Sequence, residues 1–199
     1  IVIDGILPEI TNVSSTNGTY KIGDSISITV EFSKSVIVSG TPTLQLETGS
    51  NDTSATFASG SGTTNLVFTY TVVDGDESSD LAYHGTDALE LNSGTIQDSN
   101  GNNAVTDLPT PGAANSLSDN NDIIIDGIRP QINSVSLSSD NSSIDVTFNE
   151  VVQSSTNNTL TASDFTISLS GGTATSPVIS SVSVSGTVYT LDFTYTGAA

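Results

Sequence analysis

Cysteine, methionine and tryptophan are missing from this chain, and Lys and Arg together number only 3 against 22 Asp and Glu. Each absence removes a class of protein. Without cysteine there is no disulfide, no thiolate metal ligand and no thiol nucleophile, so the fold must be braced by other means, for which metal ions are the obvious candidate. Without tryptophan, and with Tyr and Phe falling on strand positions, exposed rings for stacking sugars are scarce. A formal charge of -19 repels phosphate backbones and anionic bilayers while attracting divalent cations, so neither nucleic acid nor a membrane is an expected partner. No run approaches the roughly 18 apolar residues that span a bilayer, so no membrane insertion is expected in this segment. The single histidine, His84, stands between Tyr83 and Gly85 with no Gly-x-Ser-x-Gly elbow in the chain, and reads as a surface residue. Nothing here suggests an enzyme.

What is present is a repeat. Ile3-Asp4-Gly5-Ile6-Leu7-Pro8-Glu9-Ile10 returns as Ile125-Asp126-Gly127-Ile128-Arg129-Pro130-Gln131-Ile132, and Val13-Ser14 falls on Val135-Ser136 at the same offset. Thr29 to Val36 resembles Asp145 to Val152, and Leu66 to Thr71 resembles Leu191 to Thr196. A period of about 120 residues is the size of a whole domain, so each copy is able to bury its own core. Two domains follow, residues 1–125 and 126–199. The second has no counterpart to residues 72–125 and reads as truncated or of a shorter type, in a chain that reads as part of something longer.

Helical periodicity is nearly absent, since no window keeps apolar residues at i, i+3, i+4 and i+7. Ser25-Ile26-Ser27-Ile28-Thr29-Val30-Glu31-Phe32 instead alternates strictly and predicts a strand with one buried face. Similar runs predict strands over 43–47, 55–58, 66–73, 89–92 and 122–125, then over 132–137, 143–148, 165–169, 178–184 and 188–195. Short strands at this spacing favour an all-β, two-sheet sandwich. Phe32, Phe57, Phe68, Tyr70, Phe148, Phe193 and Tyr195 are the expected core aromatics, with the Tyr70 and Tyr195 hydroxyls at a rim.

The chain is similar to the bacterial immunoglobulin-like repeats of very large surface adhesins. The likeness rests on the opening Ile-Asp-Gly-Ile-x-Pro, on Thr19 to Ile26 leading into Val30 to Val36, and on Gly94 to Asn102. It implies tandem immunoglobulin-like β-sandwich domains in a stalk outside the bacterial cell, cadherin-like in carrying calcium near the domain junctions. Many family members have an acidic residue where Lys34 stands, so Glu150 keeps a ligand in the second unit that the first lacks. The second unit also departs from the pattern around residues 153–163.

Calcium takes six to eight oxygen ligands, so clustered Asp, Asn and Glu on loops mark the candidates. The junction stretch Asp119-Asn120-Asn121-Asp122 leads to Asp126. If the strand from Ser143 runs antiparallel to the one opening at Gln131, Glu150 returns to the same pole, and Asp126 and Glu150 share one ion with the linker. A solvated turn explains the same residues. Asp98-Ser99-Asn100-Gly101-Asn102 alternates oxygen ligands around a glycine bend, with Asp98, Asn100 and Asn102 as ligands; an Asx turn without an ion is the alternative. Asp74-Gly75-Asp76-Glu77, with Asp80, crowds carboxylates that a cation would reconcile, or is a hairpin tip in water.

The expected function is therefore non-enzymatic: a spacer of a secreted adhesin at the bacterial cell surface, rigidified by Ca2+ at the junction and partnered by neighbouring repeats of the same chain. The rival readings are a module whose loops bind a host or surface glycan or protein, and accessory spacer domains of a secreted polysaccharide-degrading enzyme.

Overall fold

The alternation at residues 25–32 is realised as part of a 15-residue strand whose inward positions Ile26, Ile28, Val30 and Phe32 are buried while Ser25, Ser27 and Glu31 face water. The computed structural model describes residues 5–154, 158–170 and 173–197, and over these the protein is all-β with several antiparallel sheets. It divides into two compact units, Ile1–Arg129 and Pro130–Ala199.

In the first unit the strands are β1 (Ile10–Ser14), β2 (Gly18–Lys21), β3 (Ser25–Ser39), β4 (Thr43–Glu47), β5 (Ser54–Ser59), β6 (Thr63–Thr71), β7 (Glu77–Ser78), β8 (Ala82–Tyr83), β9 (Leu89–Glu90), β10 (Thr95–Gln97) and β11 (Ile123–Asp126). One sheet runs β1-β3-β6-β5-β4-β8, with β10 added to β3 and β9 to β4. A second runs β2-β11-β7, in which β11 lies parallel to β2 and antiparallel to β7. Val13, Leu44, Leu46, Leu66, Phe68 and Tyr83 are fully buried in a common core with Leu117, Ile123 and Ile125. Each such aliphatic side chain is worth about 1.5–3 kcal/mol of burial.

In the second unit β12 (Ile132–Leu137), β13 (Ser143–Phe148), β14 (Thr175–Ser185) and β15 (Val188–Thr196) form one sheet in the order β12-β13-β15-β14. The repeat is reproduced there down to its irregularity. Ile10 pairs with Phe32 and Val13 with Val30, with a slip at Thr11; Ile132 pairs with Phe148 and Val135 with Val146, with the same slip at Asn133. The strand entries match too: the Ser33 amide donates to the Glu9 carbonyl (2.8 Å) and the Asn149 amide to the Gln131 carbonyl (2.9 Å).

The copies differ in what covers them. Val13 is 0% exposed, because a capping segment crosses β1: the Val13 amide donates to the Asn115 carbonyl (3.0 Å) and Asn120 Nδ2 to the Val13 carbonyl (2.7 Å). Val135, at the same position, is 60% exposed, with Ile132 and Leu137 beside it. Among the described residues no such segment crosses β12. Among the described residues Val146, Tyr189, Leu191 and Phe193 form the buried part of the second unit, Tyr189 edge-on to Phe148.

Several local expectations are corrected. Residues 165–169 are irregular chain rather than strand, following a 3₁₀ turn at Ala162–Asp164 in which the Asp164 carboxylate accepts from the Thr161 amide (2.8 Å). The strand at 89–92 stops after Glu90, because Asn92 and Ser93 turn into the left-handed region (φ 50° and 66°) so that Gly94 can approach the Ser39 carbonyl. One helical turn, α1 (Leu117–Asn120), was not expected; Ser116 caps it by accepting from the Asp119 amide (3.3 Å). The Ser-x-x-Asp spacing around buried Leu117 was its signal. The Tyr70 hydroxyl lies on a buried carboxylate rather than at a rim.

Candidate cation sites

The loop after β10 folds as an Asx turn. Gly101 takes φ 84°, and its amide donates to the Asp98 carbonyl (3.0 Å). The Asp98 side chain, in a residue 4% exposed, accepts from Asn102 Nδ2 (2.9 Å), the Asn102 amide (3.0 Å), the Asn100 amide (2.9 Å) and Lys34 Nζ (3.2 Å). These donors, Asn102 first, hold the carboxyl well below the usual carboxylate range. Both oxygens are therefore aimed at N–H groups. Lys34 Nζ also donates to the Ile6 carbonyl (2.8 Å), so an ammonium supplies positive charge between the strand β3 and the chain entering the unit. An acidic residue at 34, with Ile6 and Asp98, would offer oxygens where this lysine offers hydrogens.

Asp76 is likewise spent on the fold. It is 3% exposed; Oδ2 accepts from the Tyr70 hydroxyl (2.6 Å) and the Val73 amide (2.9 Å), and Oδ1 from the Thr53 hydroxyl (3.2 Å). Burial first, then the carboxylate, drives the Tyr70 phenol far above its ordinary range. Asp74 is exposed and faces the Arg129 guanidinium (Nε to Oδ1 3.1 Å), a pair in water that contributes little.

The junction residues separate by environment. Asn120 and Asn121 are used inside the first unit, Asn121 accepting from the Ser15 amide (2.8 Å) and donating to the Ser15 carbonyl (2.9 Å). Asp119 belongs to α1 and is exposed, as is Asp122. Asp126 ends β11, where it lies opposite Lys21 of β2 on one side and Glu77 of β7 on the other. Two exposed carboxylates directly opposed across an antiparallel ladder repel, and a bound cation would relieve them. Gly127 then closes on the turn before β7: its amide donates to the Asp76 carbonyl (2.7 Å) and its carbonyl accepts from the Gly75 amide (2.9 Å). In the second unit β12 and β13 are antiparallel, so half-buried Glu150 follows Asn149 at the pole where that unit begins.

A cluster that sequence reasoning missed lies at the far end of β4. Glu47, Asp52 and His84 each place one ligand atom within 4.8 Å of the others. His84 Nδ1 is 3.0 Å from Asp52 Oδ2 and 3.4 Å from Glu47 Oε2. Its neighbour Tyr83 anchors β8 in the core, the phenol pushed up to about 12 by burial and donating to the Pro109 carbonyl. Nothing in the local sequence marks the cluster, because 32 residues separate Asp52 from His84.

Among the described residues no helix is long and apolar enough to cross a membrane. No family model matches the chain, and no curated protein or solved structure matches it significantly.

Proposed function

We propose that the chain is a non-enzymatic structural segment: tandem immunoglobulin-like sandwiches acting as a spacer in a secreted bacterial surface adhesin, with calcium at the junction around Asp126 and Glu150. The observation that carries this reading is the placement of the second copy's opening strand. β11 is hydrogen bonded between β2 and β7 of the first unit, and Gly127 seals it there. A linker that doubles as a sheet strand leaves little slack to be pulled out under tension, which suits a load-bearing array. The same strand sets Asp126 against Glu77, and the exposed Asp122 and Asp119 lie just before it.

Calcium would add a stabilisation set by its concentration relative to its dissociation constant, about 2.7 kcal/mol at a hundredfold excess. Melting in EDTA and again in millimolar calcium, with magnesium as control, is the first test. A calcium-specific rise of several degrees is expected. No rise removes calcium from the proposal. Solution scattering in calcium tests the mechanical part: an Asp126→Asn, Glu150→Gln double variant with the parent's dimensions would sink a calcium-stiffened junction.

A further inference from the structure

We propose that Glu47, Asp52 and His84 form a binding site for a first-row divalent transition metal of the zinc class, separate from the acidic clusters at the junction.

The backbone places the ligands. β4 and β8 pair antiparallel with Glu47 opposite Ala82, and the His84 amide continues the ladder by donating to the Gln45 carbonyl (3.1 Å). Glu47 and His84 are thereby diagonal neighbours on one face. Asp52 arrives from the 48–53 loop, which closes on fully buried Thr48. The Thr48 hydroxyl accepts from the Thr53 amide (2.9 Å) and donates to the Asn51 carbonyl (3.2 Å). The Thr48 amide donates to Asp52 Oδ1 (3.2 Å), which orients the carboxylate and leaves Oδ2 toward the imidazole. Asp52 is the sheltered ligand, its side chain 17% exposed against 53% for both Glu47 and His84.

The distances suit a metal as well as a hydrogen bond. Two ligands about 2.0–2.2 Å from one ion and about 90–109° apart are themselves about 3.0–3.4 Å apart. His84 Nδ1 stands at 3.0 and 3.4 Å from the two carboxylate oxygens. One imidazole nitrogen and two carboxylates, with the remaining positions left to water, match zinc(II), cobalt(II), nickel(II) or copper(II). Calcium and magnesium prefer an all-oxygen shell. The chain's large negative charge concentrates any cation near the surface, so specificity is carried by the imidazole.

Because His84 is the only histidine, its ring nitrogens are a private reporter. Zinc chloride is titrated into the full chain in excess magnesium while the imidazole 15N resonances are followed. The expected result is a shift of Nδ1 that saturates at one equivalent. By calorimetry, His84→Ala should weaken zinc binding by about tenfold to a hundredfold, and Asp52→Asn, which keeps the oxygen that Thr48 uses, by a similar factor. Both should melt as the parent does without metal. If the ring resonances stay fixed until zinc is in large excess, or if His84→Ala titrates like the parent, the cluster is a histidine–carboxylate pair only and the proposal fails.

Discussion

The Tyr70 hydroxyl donates to Asp76 across 2.6 Å inside the first unit, both residues nearly inaccessible to water. A buried carboxylate is tolerable only when its lone pairs are filled, and Tyr70 fills the shortest of its contacts. Tyr70→Phe should therefore destabilise the first unit by about 1–3 kcal/mol while leaving the second unaffected. Calorimetry resolves this if the units melt separately; an unchanged first transition would contradict it.

Gly127 carries the repeat's Asp-Gly motif into a close approach. A Cβ there would lie 2.5 Å from both the Asp76 and Val73 carbonyl oxygens, which are backbone atoms with little room to move. Gly127→Ala should cost about 1–3 kcal/mol. Gly5, the same letter in the first copy, has nothing within 4 Å of its would-be Cβ, so Gly5→Ala should fall within about 0.5 kcal/mol of the parent in the same denaturant series.

Asp98 makes stability depend on acid. Its folded pKa lies below the ordinary 3.8, so its contribution is complete above that value and disappears as pH falls through the folded one. Between about pH 5 and pH 2 the parent should lose stability more steeply than Asp98→Asn. Asn102→Ala should flatten the profile more than Lys34→Met, since Asn102 supplies the leading hydrogen bonds. Parallel acid titrations of the three variants would decide this, and identical slopes for parent and Asp98→Asn would refute it.

Val13 and Val135 occupy the same register position in two copies of one strand pair. Val13→Ala removes two buried methyl groups and should cost about 2 kcal/mol. Val135→Ala should change stability by less than about 0.5 kcal/mol. Equal costs would mean that something covers β12 in solution.

The longer strands were legible because their signal is local, whereas the short β2, β7, β8 and β10 were not. Alternation at residues 25–32 states which face is buried, and the double occurrence of Ile-Asp-Gly-Ile-x-Pro states that the pattern occurs twice. The shared slip at Thr11 and Asn133 was not legible there, because it exists only in the pairing of two strands. The acidic clusters were legible only as composition. Asp98 reads as a ligand until Lys34, 64 residues away in the chain, is found beside it.

Sequence alone thus determined the all-β character and the duplication, because backbone period and residue chemistry are properties of neighbours. Tertiary structure decided the rest. It gave the repeat's opening strand to the first unit, turned Asp76 and Asp98 into buried structural groups, and assembled Glu47, Asp52 and His84 from separate strands and loops. The partner that satisfies or repels a carboxylate is chosen by sheet order and register, which no short window of residues encodes.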